Sequence, residues 1–100
     1  MKLWIDDVRP APDGWVWAKT TNEALRYITS CCDDIEQMSI DHDAGVNSFG
    51  GDFVNVLNEM ERLSRLDKII VGFPIHIHSM NPVGVENMHR IIRANGWKEI

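Results

Sequence analysis

The sequence predicts an α/β fold with a mostly parallel sheet, and three observations predict it. Short apolar segments alternate with longer segments whose apolar residues recur at helical spacing. That alternation runs the whole length of the chain, which implies right-handed βαβ units with helices on both faces of the sheet. The strand-like segments also end in chemistry-bearing residues, Asp6-Asp7, Asp41-His42-Asp43 and His78-Ser79. In such sheets ligands bind just beyond the C-terminal strand ends.

Taken in order, residues 2–5 form a compact apolar strand closed by Asp6-Asp7. Val8 to Gly14 is loop chemistry: Pro10 and Pro12 cannot donate to a ladder, and Asp13-Gly14 favours a turn. Trp15 to Lys19 reads as a second strand. Thr20 and Glu23 have the spacing of a capping box, in which hydroxyl and carboxylate satisfy free amides reciprocally. Ala24, Leu25 and Ile28 give the following helix its apolar stripe, and the helix frays into 30–34. Met38 to Ile40 is a third strand running into Asp41 and a glycine turn, with Ala44 to Gly51 a permissive loop. Asp52 suits a helix N-cap, and Phe53, Val56, Leu57, Met60 and Leu63 carry that helix to Arg65. Ile69-Ile70-Val71 is either an extension toward the next strand or a connector. Pro74 opens the strand 75–79, where proline is tolerated. Asn81-Pro82 caps a last helix with the stripe Val85, Met88, Ile91 and Ile92, and Asn95-Gly96 stops it. Trp97 to Ile100 is a candidate fifth strand.

One hundred residues suit a single domain spanning 1–100. A 44% apolar fraction supports one core. The formal net charge of −5 and a pI near 5.2 argue against an extended nucleic-acid or membrane-binding face, which wants a basic surface. Contact with one phosphate, through a few cations or a metal, is compatible with that balance. No apolar run approaches the roughly 20 residues of a membrane span. Cys31 and Cys32 are adjacent, a poor disulfide framework, and the expected setting is the reducing cytoplasm. Composition leaves the oligomeric state open.

Asp6, Asp7 and Asp41 are acids on two strand ends expected to be neighbours. Clustered carboxylates repel one another and are costly to desolvate, and a divalent cation relieves both. Oxygen ligation without cysteine suits Mg²⁺ or Mn²⁺. The bland alternative is that these acids are solvated strand-end caps. His76 and His78 alternate with Ile75 and Ile77, so both imidazoles share one face of the strand. They are candidates for acid–base work, with His78 at the rim and His76 deeper. His42 is expected to face away from Asp41 and Asp43, in a catalytic or a supporting role. Ser79 and Asn81 are placed to hydrogen-bond a phosphoryl oxygen, and Arg9 offers the planar fork that suits phosphate. Trp4, Trp15 and Trp17 read first as core. Trp15, beside a turn, is also a candidate for stacking.

These residues resemble the receiver domain of two-component response regulators. Asp6 and Asp7 look like its acid pair, Asp41 like its phosphoacceptor, and Ser79 like its switch hydroxyl; Gly51-Asp52-Phe53 resembles the start of the next helix. The receiver lysine has no clear counterpart, since Lys98 falls too early in the last strand, and the last receiver helix is missing. The full set of segments 3–10, 12–15, 41–43 and 76–84 looks more specifically like a divergent relative, the cyclic-phosphate-processing receiver-like domain. That resemblance implies metal-dependent processing of a cyclic phosphate or a related phosphoester.

The resulting expectation is a minimal flavodoxin-like, three-layer α/β/α sandwich. Its mostly parallel sheet has strand order 2-1-3-4, or five strands if 97–100 joins. The expected function is metal-dependent phosphoester processing. In it Asp6, Asp7 and Asp41 hold Mg²⁺ or Mn²⁺ and His78, His76 and His42 handle protons. Arg9, Ser79 and Asn81 orient the phosphate of a small molecule, a nucleotide or an RNA end. The competing expectations are a signalling receiver phosphorylated on Asp41 and a phosphate- or nucleotide-binding module without turnover.

Overall fold

The computed structural model describes residues 1–43 and 52–100. Four strands, β1 (Lys2–Ile5), β2 (Trp15–Ala18), β3 (Gln37–Ile40) and β4 (Ile75–Ile77), form one sheet in the order 2-1-3-4. Every neighbouring pair is parallel. Among the described residues three α-helices accompany them, α1 (Thr21–Cys31), α2 (Val54–Arg65) and α3 (Pro82–Ala94). The register places Ile5 beside Ala18 and Ile40, and Ile40 beside Ile77. The residues that leave the strands, Asp6, Asp41 and His78, therefore emerge in one row. Their amides prolong the ladder, Asp6 N donating to Ala18 O at 3.1 Å, Asp41 N to Ile5 O at 2.9 Å and His78 N to Ile40 O at 3.0 Å.

Alternation along the strands separates two unlike faces. Leu3, Ile5, Ala18, Met38, Ile40 and Ile75 point one way and are all fully buried. They meet Ala24 and Ile28 of α1, Val56, Leu57 and Met60 of α2, and Met88 and Ile92 of α3. Burying each Val, Leu, Ile or Met side chain among them contributes about 1.5–3 kcal/mol. α1 touches α2 and α2 touches α3, so the three helices make a single layer. The other face carries Lys2, Trp4, Trp15, Trp17, Gln37, Ser39 and His76, and only Ser39 among these is fully buried.

The strand order and helix count follow the sequence, but the second helical layer of a three-layer sandwich is absent among the described residues. The reason is local. A parallel β1–β2 pair needs a crossover, and residues 6–14, with two prolines and Gly14 at φ +85°, make it as a loop rather than a helix. Trp4 Nε1 donates to Arg9 O at 2.9 Å and ties that loop to the bare face.

Several smaller expectations are refined. Thr20 Oγ1 accepts from Glu23 N at 3.1 Å, but Glu23 reaches Lys19 N at 3.0 Å rather than the Thr20 amide. Phe53, not Asp52, is the N-cap of α2, and Asp52 contributes its backbone carbonyl to Asn55 N at 3.0 Å. The 69–71 run is a connector: Ile69 tucks into the core while Ile70 is exposed. The candidate fifth strand shrinks to one parallel bridge, Ile75 to Glu99. Asn81 caps α3 by accepting from Gly84 N at 3.0 Å, and Gly96 at φ +68° closes it. Cys31 and Cys32 are free thiols. The glycine loop 44–51 lies outside the described residues. Among the described residues no helix is long and apolar enough to cross a membrane.

Candidate functional site

Asp6, first residue beyond β1, is almost fully buried. Its Oδ1 accepts from Val8 N at 2.9 Å and Arg9 N at 3.0 Å, so the loop that replaces a helix wraps around one carboxylate oxygen. Its Oδ2 lies 3.0 Å from His78 Nε2, and His78 Nδ1 lies 2.7 Å from Ser39 Oγ. A carboxylate can only accept. His78 therefore donates through Nε2, and in the neutral ring that burial favours, Nδ1 accepts the Ser39 hydroxyl proton. The ring also stacks on Trp4, with centroids 4.0 Å apart and planes 7° from parallel. Burial holds His78 below its ordinary value of 6.5, outweighing the opposite pull of the Asp6 and Asp41 carboxylates; nearby Arg9 adds to the burial effect.

Asp6, Asp7 and Asp41 converge, with one carboxylate oxygen from each lying within 4.8 Å of the others. Asp6 is buried, and Asp7 and Asp41 are half-buried. Asp41 Oδ1 accepts from His42 N at 2.9 Å. Three acids at this spacing repel strongly without a cation. The donor set is all oxygen and partly solvent-facing, which fits a hard divalent ion that retains waters.

His42 and Asp43 belong to a different cluster. Strand geometry ends at Ile40, so alternation no longer puts Asp43 beside Asp41. The His42 ring is buried against α3, its Nδ1 2.8 Å from Asp43 Oδ1. Asp43 also accepts from Asn81 Nδ2 at 3.2 Å. The bond with His42, then that from Asn81, holds the Asp43 carboxyl below its ordinary range. Oxygens of Asp43 and Asp52 and a His42 nitrogen form a second convergent group.

The remaining candidates divide. His76 is exposed, and its Nδ1 lies 2.9 Å from Ile100 O, one step down the strand from the acids. Asn81 is committed at both ends of its amide, to Gly84 and to Asp43. Ser79 Oγ accepts from Asn81 N at 3.1 Å, which leaves its proton to donate. Arg9 is exposed and makes one long contact, Nη1 to His78 O at 3.4 Å, so its guanidinium is able to turn to an anion. A groove of about 460 Å³ opens elsewhere, lined by Cys31, Cys32, Asp67 and Lys68, and contains none of the candidates.

Ser39, Trp4 and Gly84 escaped the sequence reading as site residues. The signal for Ser39 was present: a hydroxyl inside an apolar strand, two residues before Asp41 and on its face. Trp4 stands two residues before Asp6 in the same relation.

A family model described as the cyclic-phosphate processing receiver domain matches residues 1–94. No curated protein and no solved structure matches the chain.

Proposed function

The chain belongs to the cyclic-phosphate processing receiver domain family, and from that premise we propose that its strand-end acids form a divalent-cation site for phosphoester processing. One observation carries the reading: Asp6, Asp7 and Asp41 bring carboxylate oxygens within 4.8 Å of one another at the C-terminal rim of a parallel sheet. Mg²⁺ or Mn²⁺ held there would neutralise a phosphoryl oxygen and polarise its bond to phosphorus.

The chain's own groups then have distinct parts. His78, bonded at both nitrogens, fixes the orientation of Asp6. For His78 to carry a proton in the reaction, its bond to Ser39 or to Asp6 has to open. Among the described candidates, Arg9 and Ser79 are the donors left to hold a phosphate. Asn81 supports Asp43, and through it His42, the second imidazole of this rim. The substrate class proposed is a cyclic phosphate on a nucleotide or RNA end.

The test is turnover of a nucleoside 2′,3′-cyclic phosphate with Mg²⁺ or Mn²⁺. Activity lost in Asp41→Asn, with the circular dichroism unchanged, is the expected result. Stoichiometric labelling of Asp41 by acetyl phosphate, with no turnover, would replace this reading with that of a signalling receiver. Binding without either would leave a recognition module.

A further inference from the structure

The bare face of the sheet meets the acid cluster without a break. Trp4 stacks on His78, and Trp15 stands edge-on to Trp4 with centroids 6.0 Å apart and planes at 83°. Trp17 lies beside Trp4 in register. The three indoles thus pave β1 and β2 from the row of Lys2 up to Asp6.

The three indoles are not equivalent. Trp4 Nε1 is used on Arg9 O and Trp17 Nε1 on Asp6 O, at 2.9 and 2.7 Å. Trp15 Nε1 has no partner among the described residues, and its ring is half-buried. Charge on this face also runs against the rest of the chain. In a protein of net charge −5, Lys2 Nζ sits 5.8 Å from the Trp15 ring centroid and Lys19 Nζ 4.3 Å from that of Trp17. Aromatic rings alternating with cations form the surface that single-stranded nucleic acid uses, bases on the rings and phosphates on the cations.

Length selects among nucleic-acid ligands. Trp15 pairs with Lys2, four residues below Asp6, which is about 13 Å at 3.3 Å per residue. One nucleotide cannot both place its phosphate at the acids and reach Trp15, whereas two or three can. We infer that the sheet face that no described helix covers is a stacking ledge for the last two or three nucleotides of an RNA end, with Trp15 as its outer platform. This inference rests on the phosphate-site reading above and narrows its substrate from a cyclic phosphate on a nucleotide or RNA end to an oligonucleotide terminus.

The experiment compares three probes by calorimetry and by quenching of indole fluorescence: glycerol 1,2-cyclic phosphate, a nucleoside 2′,3′-cyclic phosphate, and a trinucleotide ending in the same cyclic phosphate. Affinity should rise along that series, with the trinucleotide about ten-fold or more tighter than the mononucleotide. Trp15→Leu, which keeps apolar bulk, should collapse the trinucleotide-to-mononucleotide ratio, and Trp15→Phe should retain most of it. A general loss of folding would not act on that ratio alone. Equal affinity for all three probes removes the ledge and leaves the phosphate site. A base-dependent series that persists in Asp41→Asn and in EDTA keeps the ledge and removes the phosphate site. Failure of every probe to bind ends both.

Discussion

His78 Nε2 lies 3.0 Å from Asp6 Oδ2 while its Nδ1 lies 2.7 Å from the Ser39 hydroxyl, so the imidazole is a neutral strut between two strands. Burial sets its protonation below the ordinary 6.5, in spite of two carboxylates nearby. In the window between the folded value and about 6.5, the unfolded chain holds a proton that the folded chain refuses. Stability therefore rises with pH through that window and is complete above it. Urea unfolding in EDTA should show the wild-type chain losing stability as the pH falls below about 6.5. His78→Gln should lessen that dependence, and an identical slope in both proteins would show that another group controls it.

The three carboxylates predict a second behaviour. Adding Mg²⁺ or Mn²⁺ at about ten times its dissociation constant should stabilise by roughly 1.4 kcal/mol. For a domain of this size that raises the melting temperature by roughly 5–10 °C. Asp7→Asn should abolish the response. In EDTA the same variant should melt at the wild-type temperature or higher, because one repelling charge has gone. A metal response that survives in Asp7→Asn would place the ion elsewhere.

Ser39 offers a test of the strut from its other end. The hydroxyl is buried, and Ser39→Ala leaves the Nδ1 of a buried ring without a partner. A buried polar atom left unsatisfied costs about 1–3 kcal/mol. Chemical denaturation should register that loss, and His78→Leu should cost more, since it leaves the buried Asp6 Oδ2 without its partner. If Ser39→Ala is neutral, the hydroxyl contributes nothing to the strut.

Much of this arrangement is legible in the sequence because period decides it. The strands, the strand order and the acids at two strand ends follow from apolar alternation and from the rule for parallel sheets. Three features escaped for physical reasons. The single helical layer depends on whether residues 6–14 cross the sheet as helix or loop; the prolines indicated a loop, but the consequence for the second face appears only in three dimensions. The parting of Asp41 from Asp43 depends on where strand geometry stops, one residue before the acids. The partners of His78 are remote in sequence, 72 residues away for Asp6 and 39 for Ser39, and no local pattern encodes such pairings.

Gly84 gives the last prediction. A Cβ built on this residue of α3 would stand 2.3 Å from Cγ, 2.4 Å from Cδ2 and 2.6 Å from Nδ1 of His42. Helix propensity alone favours alanine over glycine by about 1 kcal/mol. The clash opposes it, because Cγ lies at the root of a ring that is buried and tied to Asp43, so the contact cannot be relieved by moving a flexible tip. Overpacking of this kind costs about 1–3 kcal/mol. Gly84→Ala should therefore destabilise the protein, and should also displace His42 from Asp43. In the His42→Ala background the clash is absent and the propensity gain remains, so the same substitution should turn neutral or stabilising. A thermodynamic cycle over the two positions measures that coupling. Additive effects would mean that the glycine is not what seats the imidazole.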